Sequence, residues 1–252
     1  MTEATARAPV AKLAELLRGA RRAVALTGAG ISVPSGIPDF RTPGKGIWEG
    51  VDPMEVAHIE AFHRDPKRFW SFYRPRFETL ADKLPNAAHR ALARLEGAGI
   101  LDAVITQNID RLHAKAGSRR VIEVHGSIAT SSCTSCAATY ELERVAELFD
   151  DEGVAICAAC GGRVKPDVVL FGELLPAAAI AEAEELCASA DVLLCVGSSL
   201  EVHPVAGLPE VTLAGGGQVA IVTRSSTAYD STAAVKLDGD VVAELEAVLE
   251  AL

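Results

Sequence analysis

Short, nearly uninterrupted apolar runs recur along the chain: Ala23-Val24-Ala25-Leu26, Ala103-Val104-Ile105, Val121-Ile122-Glu123-Val124, Val168-Val169-Leu170-Phe171, Val192-Leu193-Leu194-Cys195-Val196 and Val219-Ala220-Ile221-Val222. A strand covered on one face alternates apolar with polar residues, and these runs do not alternate. They are expected to be buried on both faces, which a parallel sheet lined with helices on each side provides. The segments between them carry helix signals. Leu13, Leu16 and Leu17 mark a first helix that gives way at Gly19, Asn86 is placed to cap Ala87 to Glu96, and Pro176 opens an Ala/Glu-rich stretch to Ala190. Asp240 is placed to cap a last helix whose Val241, Val242, Leu245, Val248, Leu249 and Leu252 fall on one face. The fold class read from this pattern is α/β, a Rossmann-type parallel sheet with helices on both faces.

Two stretches break the alternation. Residues 42–84 are rich in aromatics and lack a strand signal, which reads as a helical insertion, and residues 128–163 carry two cysteine pairs. The 252 residues are about 1.7 times a domain of roughly 150, so a single catalytic domain over 1–252 is expected. Within it, 1–41, 85–127 and 164–252 form the Rossmann-type lobe, and 42–84 and 128–163 together form a small second lobe. A ligand is expected where the carboxyl ends of the strands face that lobe.

Cys133-x-x-Cys136 and Cys157-x-x-Cys160 are separated by 20 intervening residues, the spacing of a four-thiolate zinc ribbon. A redox C-x-x-C would need only one pair. All four coordination positions are then protein thiolates, which makes the zinc structural and leaves no position for substrate. Cys187 and Cys195 read as packing residues. Reduced thiols, the absence of an apolar run near the roughly 18 residues of a membrane span, and an N-terminus without a basic-then-apolar signal lead to an expected cytoplasmic location with no membrane contact. Lys plus Arg number 24 and Asp plus Glu 34, a net charge of −10. That is the wrong sign for a protein held by phosphate neutralisation, so nucleic acid is not expected as a direct ligand.

Thr27-Gly28-Ala29-Gly30-Ile31-Ser32 directly follows the first strand, where glycines let a backbone approach a pyrophosphate. An ordinary tight strand-to-helix turn would use the same residues. Val33 stands where a dinucleotide fingerprint has its third glycine, and Pro34, Gly36 and Pro38 forbid an immediate long helix. The Ser35-Gly36-Ile37-Pro38-Asp39-Phe40-Arg41 segment reads instead as a loop that folds over a ligand. Thr106-Gln107-Asn108-Ile109-Asp110 closes the second strand and His125-Gly126 the third, bringing amide, carboxylate and imidazole to one sheet edge. The other histidines, His58, His63, His89, His113 and His203, read as surface or packing residues.

GAGIS-x-x-SGIPDFR (Gly28 to Arg41), TQNID (Thr106 to Asp110), HG (His125-Gly126), the two C-x-x-C pairs, KPDVVLFGE (Lys165 to Glu173) and GSSLEVHP (Gly197 to Pro204) occur in this order. In this order they resemble the sirtuins, NAD-dependent protein lysine deacylases, over nearly the whole chain, most closely the bacterial and archaeal single-domain members. The resemblance implies that Gly28, Ala29, Gly30 and Ser32 hold the pyrophosphate of NAD, with Gly197, Ser198 and Ser199 on its phosphate-ribose side and Val241 at the adenine end. It implies a nicotinamide pocket of Ile37, Gln107, Asn108 and Asp110, and a flexible loop in which Asp39, Phe40 and Arg41 close over the reacting sugar. An acyl-lysine chain would add as a strand between Gly172-Glu173 and Leu200-Glu201-Val202, its acyl group passing Phe171. The acyl oxygen would attack the ribose C1′, nicotinamide would leave, and His125, with Asn108 as its catalytic companion, would serve as general base before water releases lysine and O-acyl-ADP-ribose.

Relatives usually carry an Asn after the strand at Val219 to Val222, and this chain has Thr223-Arg224, which puts NAD affinity in question. Tyr73 and Arg76 have the Tyr-x-x-Arg spacing that in desuccinylase-type sirtuins reaches the acyl pocket, so removal of succinyl or malonyl groups is an expected addition to deacetylation. A solvated helix face with an aromatic beneath it is the other reading of those two residues. Acyl-lysine proteins, acetyl-CoA synthetase among them, are the expected partners of a monomeric enzyme. Mono-ADP-ribosyl transfer in the same pocket and a non-catalytic zinc-ribbon binding module are the competing functions.

Overall fold

A computed structural model describes residues 3–39 and 50–252. In chain order it comprises α1 (Glu3–Gly19), β1 (Ala23–Thr27), α2 (Pro53–Val56), α3 (Ile59–Arg64), α4 (Pro66–Ala81), α5 (Ala87–Gly97), β2 (Ala103–Thr106), α6 (Leu112–Lys115) and β3 (Val121–Glu123). Then follow β4 (Gly126–Cys133), β5 (Thr139–Glu141), α7 (Leu142–Val145), β6 (Val164–Val168), α8 (Ala177–Ser189), β7 (Val192–Val196), α9 (Leu208–Ala214), β8 (Gln218–Val222), β9 (Val235–Leu237) and α10 (Val241–Ala251).

Six strands form a parallel sheet in the order β3-β2-β1-β7-β8-β9. Successive side chains of each strand enter different cores. Ala25, Leu194 and Val222 pack with Leu13, Leu92 and Leu245 on one face, while Leu26, Leu193 and Ile221 pack with Leu186 and Leu208 on the other. Burial on both faces is why the apolar runs are continuous. The expected caps are present: Asn86 accepts from the backbone N–H of Ala88 and His89, and Asp240 from those of Val242 and Ala243. Among the described residues no helix is long and apolar enough to cross a membrane.

One expected strand is placed differently. Val168-Val169-Leu170-Phe171 does not join the parallel sheet. The strand there is β6, which alternates buried and half-buried residues and ends at Val168, pairing antiparallel with β4 in a separate sheet of order β5-β4-β6. Pro166 lacks an N–H for a second ladder, and the chain turns away at Gly172, whose φ is 86°. Phe171 instead exchanges backbone bonds with the segment before α3, donating to Ala57 and accepting from Ile59, each at 2.9 Å. The edge strand β9 escapes sequence reading because Lys236 interrupts its short Val235–Leu237 run.

The small sheet and helices α2 to α4 share one apolar cluster containing Phe62, Phe69, Trp70, Phe77, Ile128, Val164 and Leu170. Strand order reverses between β1 and its parallel neighbour β7, so the loops leaving their carboxyl ends diverge and leave a crevice.

Candidate active site

Gly28 and Gly30 lie at that crevice, and what they approach is the loop after β7. A Cβ on Gly28 would sit 2.9 Å from the Ser198 Cβ, and one on Gly30 would sit 2.7 Å from the Gly197 carbonyl oxygen. Gly30 N–H donates to that same oxygen at 2.8 Å. The glycines thus seal the two loops together, a contact that reading the sequence for phosphate approach alone does not reveal. Ala29 opens a single 3₁₀ turn, Ala29–Ile31.

Ser32, Asn108 and Asp110 are brought together as buried polar groups. Ser32 Oγ donates to Asp110 Oδ2 at 2.6 Å, and Asn108 Nδ2 donates to Ser32 Oγ at 3.2 Å and to the Gly28 carbonyl at 3.1 Å. The other Asp110 oxygen accepts from Leu112 N–H at 2.9 Å. Burial raises the Asp110 carboxyl above its ordinary value, opposed by the Ser32 and Leu112 hydrogen bonds and by Lys115. Ile37 is buried nearby in sequence, and Asp39 is half-exposed. Phe40 and Arg41 lie outside the described residues.

Gln107 joins the two halves of the crevice: its Nε2 donates to Ser198 Oγ at 2.9 Å, and its carbonyl oxygen accepts from His125 Nδ1 at 3.0 Å. Because a carbonyl only accepts, His125 carries its hydrogen on Nδ1 and keeps a lone pair on Nε2. Burial holds this imidazole below its ordinary value, opposed by the Gln107 bond. Gly126 follows at φ 72°, and a Cβ there would meet the Asp167 carbonyl oxygen at 2.1 Å. The turn that delivers His125 between the two sheets therefore needs glycine.

Ser199 and Glu201 pair at 3.3 Å, Leu200 adopts φ 53°, and Val202 is half-buried. Phe171 is 45% exposed, so its ring stands at the surface and not in the core. Glu173 turns inward: its carboxylate accepts from Leu170 N–H at 2.8 Å and from Lys165 Nζ at 3.0 Å, which also binds the Val168 carbonyl. That clasp shapes the arc from Val168 to Gly172. Thr223 is buried with Oγ1 accepting from Ser225 N–H at 3.3 Å, Arg224 is engaged by Asp240 at 3.2 Å, and Val241 opens α10 in the same apolar cluster as Ile31.

Tyr73 and Arg76 lie close enough to act on each other electrostatically, and each is also engaged by neighbouring rings. Tyr73 stacks between Phe69 and Phe77, with ring centroids 4.5 and 5.3 Å away, and its hydroxyl is held well above the usual phenol range by burial. The Arg76 guanidinium lies 3.5 Å from the centre of the Phe72 ring and donates to the Phe72 carbonyl.

Cys133, Cys136, Cys157 and Cys160 converge, all Sγ atoms within 4.8 Å of one another. The Cys133–Cys160 and Cys136–Cys157 separations are 3.5 and 3.7 Å, about the 3.8 Å edge of a tetrahedron with Zn–S bonds of about 2.3 Å. Ser135 N–H donates to Cys133 and Gly162 N–H to Cys160, both at 3.4 Å, and the Tyr140 hydroxyl lies 3.0 Å from the Cys157 sulfur. Donors aimed at sulfur support thiolates, and the set fits a structural zinc. Cys187 and Cys195 are buried, their thiols pushed up by desolvation as expected of packing residues.

The Sir2 family profile matches residues 28–204. An NAD-dependent protein deacetylase of Sulfurisphaera tokodaii is 47% identical over 222 residues, covering 88% of this chain and 87% of that one. A solved Sir2 structure with a deacetylated p53 peptide and 3′-O-acetyl-ADP-ribose superposes with a TM-score of 0.91 at 41% identity, covering 95% of this chain and 96% of the other. A Sir2 complex with a p53 peptide and NAD+ gives 0.89 at 40% identity, with the same coverage. The crevice, the imidazole at its edge and the four-cysteine cluster thus sit in a chain that belongs to the Sir2 family.

Proposed function

We infer that this chain is an NAD-dependent protein lysine deacylase, with His125 as its general base. The observation that carries the role of His125 is its tautomer: Nδ1 is committed to the Gln107 carbonyl at 3.0 Å, which leaves Nε2 able to take a proton at the edge of the crevice. NAD supplies a leaving nicotinamide and a ribose carbon open to attack by an acyl oxygen.

The chain's own residues divide the remaining work. Asn108 and Asp110, with Ile37 and Gln107, hold the nicotinamide end, Asp110 accepting from its carboxamide. The Gly28–Ser32 turn and Gly197 to Ser199 hold the phosphates at the point where strand order reverses. Asp39, Phe40 and Arg41 cover the reacting sugar, and Thr223 and Val241 receive the adenosine. The acyl-lysine backbone lies between Gly172-Glu173 and Leu200-Glu201-Val202, where Phe171 offers an apolar ring to the acyl chain. His125 accepts a ribose hydroxyl proton, which makes that oxygen the nucleophile toward the acyl carbon.

The enzyme works as a monomer in the cytoplasm, where its zinc thiolates stay reduced, and acetylated acetyl-CoA synthetase is the protein substrate to try first. Incubation of the protein with NAD and an acetyl-lysine peptide is expected to release nicotinamide, deacetylated peptide and O-acetyl-ADP-ribose. His125→Ala is expected to keep the fold and lose turnover by about 10²–10⁴. Near-normal turnover in the folded variant refutes the role of His125, and label transferred to protein in place of O-acetyl-ADP-ribose refutes the deacylase reading.

A further inference from the structure

Behind the Ser32-Asn108-Asp110 cluster lie two histidines that the reaction scheme leaves unused. His89, on α5, is 0% exposed and His113, on α6, is 2% exposed. Their rings meet edge to face, with centroids 4.9 Å apart. His89 Nε2 lies 3.4 Å from Ser32 Oγ, and His113 Nε2 lies 2.9 Å from Thr27 Oγ1. The Nδ1 atom of each is buried with no hydrogen-bond partner among the described residues. Two buried imidazoles with idle nitrogens are a poor choice for packing alone, because an apolar side chain would fill the space without desolvating a polar atom.

Proton accounting orders the network. Ser32 gives its single hydroxyl hydrogen to Asp110 and accepts from Asn108 Nδ2. Its remaining lone pair faces His89, so His89 must offer an N–H there. Thr27 likewise donates to Thr106 Oγ1 at 2.8 Å, and Thr106 accepts from Asn108 N–H at 3.1 Å. His113 therefore also presents Nε2–H.

We propose that His89 and His113 are positioning residues: as neutral Nε2–H donors they lock the Ser32 and Thr27 hydroxyls so that Asn108 and Asp110 are held in the one arrangement that accepts a carboxamide. This rests on the reading that Asn108 and Asp110 receive nicotinamide. Desolvation holds both rings neutral at working pH, His89 lowered to about 4 and His113 to about 3, so neither donor is replaced by a cation.

Glutamine places an amide N–H where Nε2 stood, and asparagine of similar polarity places it at the Nδ1 position. His89→Asn is expected to raise the nicotinamide inhibition constant and the KM for NAD tenfold or more, leave the KM for acetyl-lysine peptide within twofold, and be rescued by His89→Gln. Unchanged nicotinamide inhibition in His89→Asn, a parallel rise in the peptide KM, or failure of the Gln rescue overturns the proposal. ¹⁵N-histidine spectra of the wild-type protein test it without any variant: the Nε2–H tautomer is expected for both rings, and an Nδ1–H tautomer at His89 refutes it. Asp110→Ala separates the two layers of argument. If that change leaves nicotinamide inhibition intact, the pocket reading fails; if it abolishes inhibition while His89→Asn does nothing, only the role of the histidines fails.

Discussion

In its proposed role as general base His125 works only while it is unprotonated, so its environment sets the acid limb of the reaction. Burial lowers this imidazole from its ordinary value near 6.5, and the Gln107 carbonyl only partly opposes it. The fraction of neutral His125 therefore stays high as pH falls, and kcat/KM is expected to reach half its maximum below pH 6.5. A pH-rate profile with its acid midpoint above 6.5 would contradict this. At the adenosine end, Thr223 has one hydroxyl, already accepting from Ser225 N–H, and Arg224 is drawn off by Asp240. Thr223→Asn adds a donor and an acceptor, and one further hydrogen bond of about 1 kcal/mol lowers the KM for NAD roughly fivefold. Steady-state kinetics with NAD varied reads this directly, and an unchanged KM places the ribose contact elsewhere.

At the scale of elements, the zinc ribbon and the crevice are joined through the small lobe. Cys133 ends β4, the strand that begins at Gly126 beside His125, and Cys133 shares an apolar cluster with Trp70 and Val168. Removing the metal removes the centre that ties the four cysteine sulfurs together, which loosens β4 to β6 before the parallel sheet. Freshly purified protein is expected to hold one zinc per chain. Cys133→Ser or chelation is expected to erase hydrogen-exchange protection in β4 to β6 while β1 and β7 keep theirs; uniform loss would show that the lobes unfold together. Helix α4 supplies a second element-level expectation. Arg76 is engaged by its own helix through Phe72, and Tyr73 is enclosed by aromatics, so a succinyl carboxylate would have to displace both contacts. Acetyl-peptide is expected to turn over faster than succinyl-peptide. Arg76→Met is expected to leave acetyl turnover within twofold, while residual succinyl turnover that vanishes in this variant would show that Arg76 does reach the acyl group.

Across the whole molecule, the buried histidine pair couples the site to acid stability. In the unfolded chain both rings titrate near 6.5, whereas folding lowers them to about 4 and about 3. Above pH 6.5 both are neutral in either state and contribute no pH dependence. As pH falls from 6.5 toward 4, the unfolded chain takes up protons that the folded chain refuses, so stability falls, by at most about 1.4 kcal/mol per pH unit for each ring. Arg90 adds to the shift at His89. Asp110 and Glu123, whose carboxyls burial raises, act in the opposite sense at lower pH. Urea midpoints at pH 7, 6 and 5 are expected to drop more steeply in wild type than in His113→Gln, and equal slopes would remove the pair from the account.

Much of this architecture was legible because it is local. Continuous apolar runs separated by capped helices point to strands buried on both faces, C-x-x-C spacing presents paired thiols whatever surrounds it, and Gly28 to Arg41, Thr106 to Asp110 and His125-Gly126 carry their motif in consecutive residues. Other features depend on partners distant in sequence. Val168 to Phe171 is as apolar as a sheet strand, yet pairing with β4 and the clasp of Lys165 on Glu173 divert it. Gly30 needs its small size because Gly197, far along the chain, lies against it. His89 and His113 look like packing histidines when read alone, since only the folding of α5 and α6 behind β1 turns their Nε2 atoms toward Ser32 and Thr27. The sequence by itself determined most strands of the parallel sheet, the caps, the cysteine spacing and the order of the motifs, because each follows from the chemistry of neighbouring residues. Only the tertiary structure decided which buried polar atom meets which, because hydrogen-bond partners are chosen by positions that exist only once the sheet has closed around them.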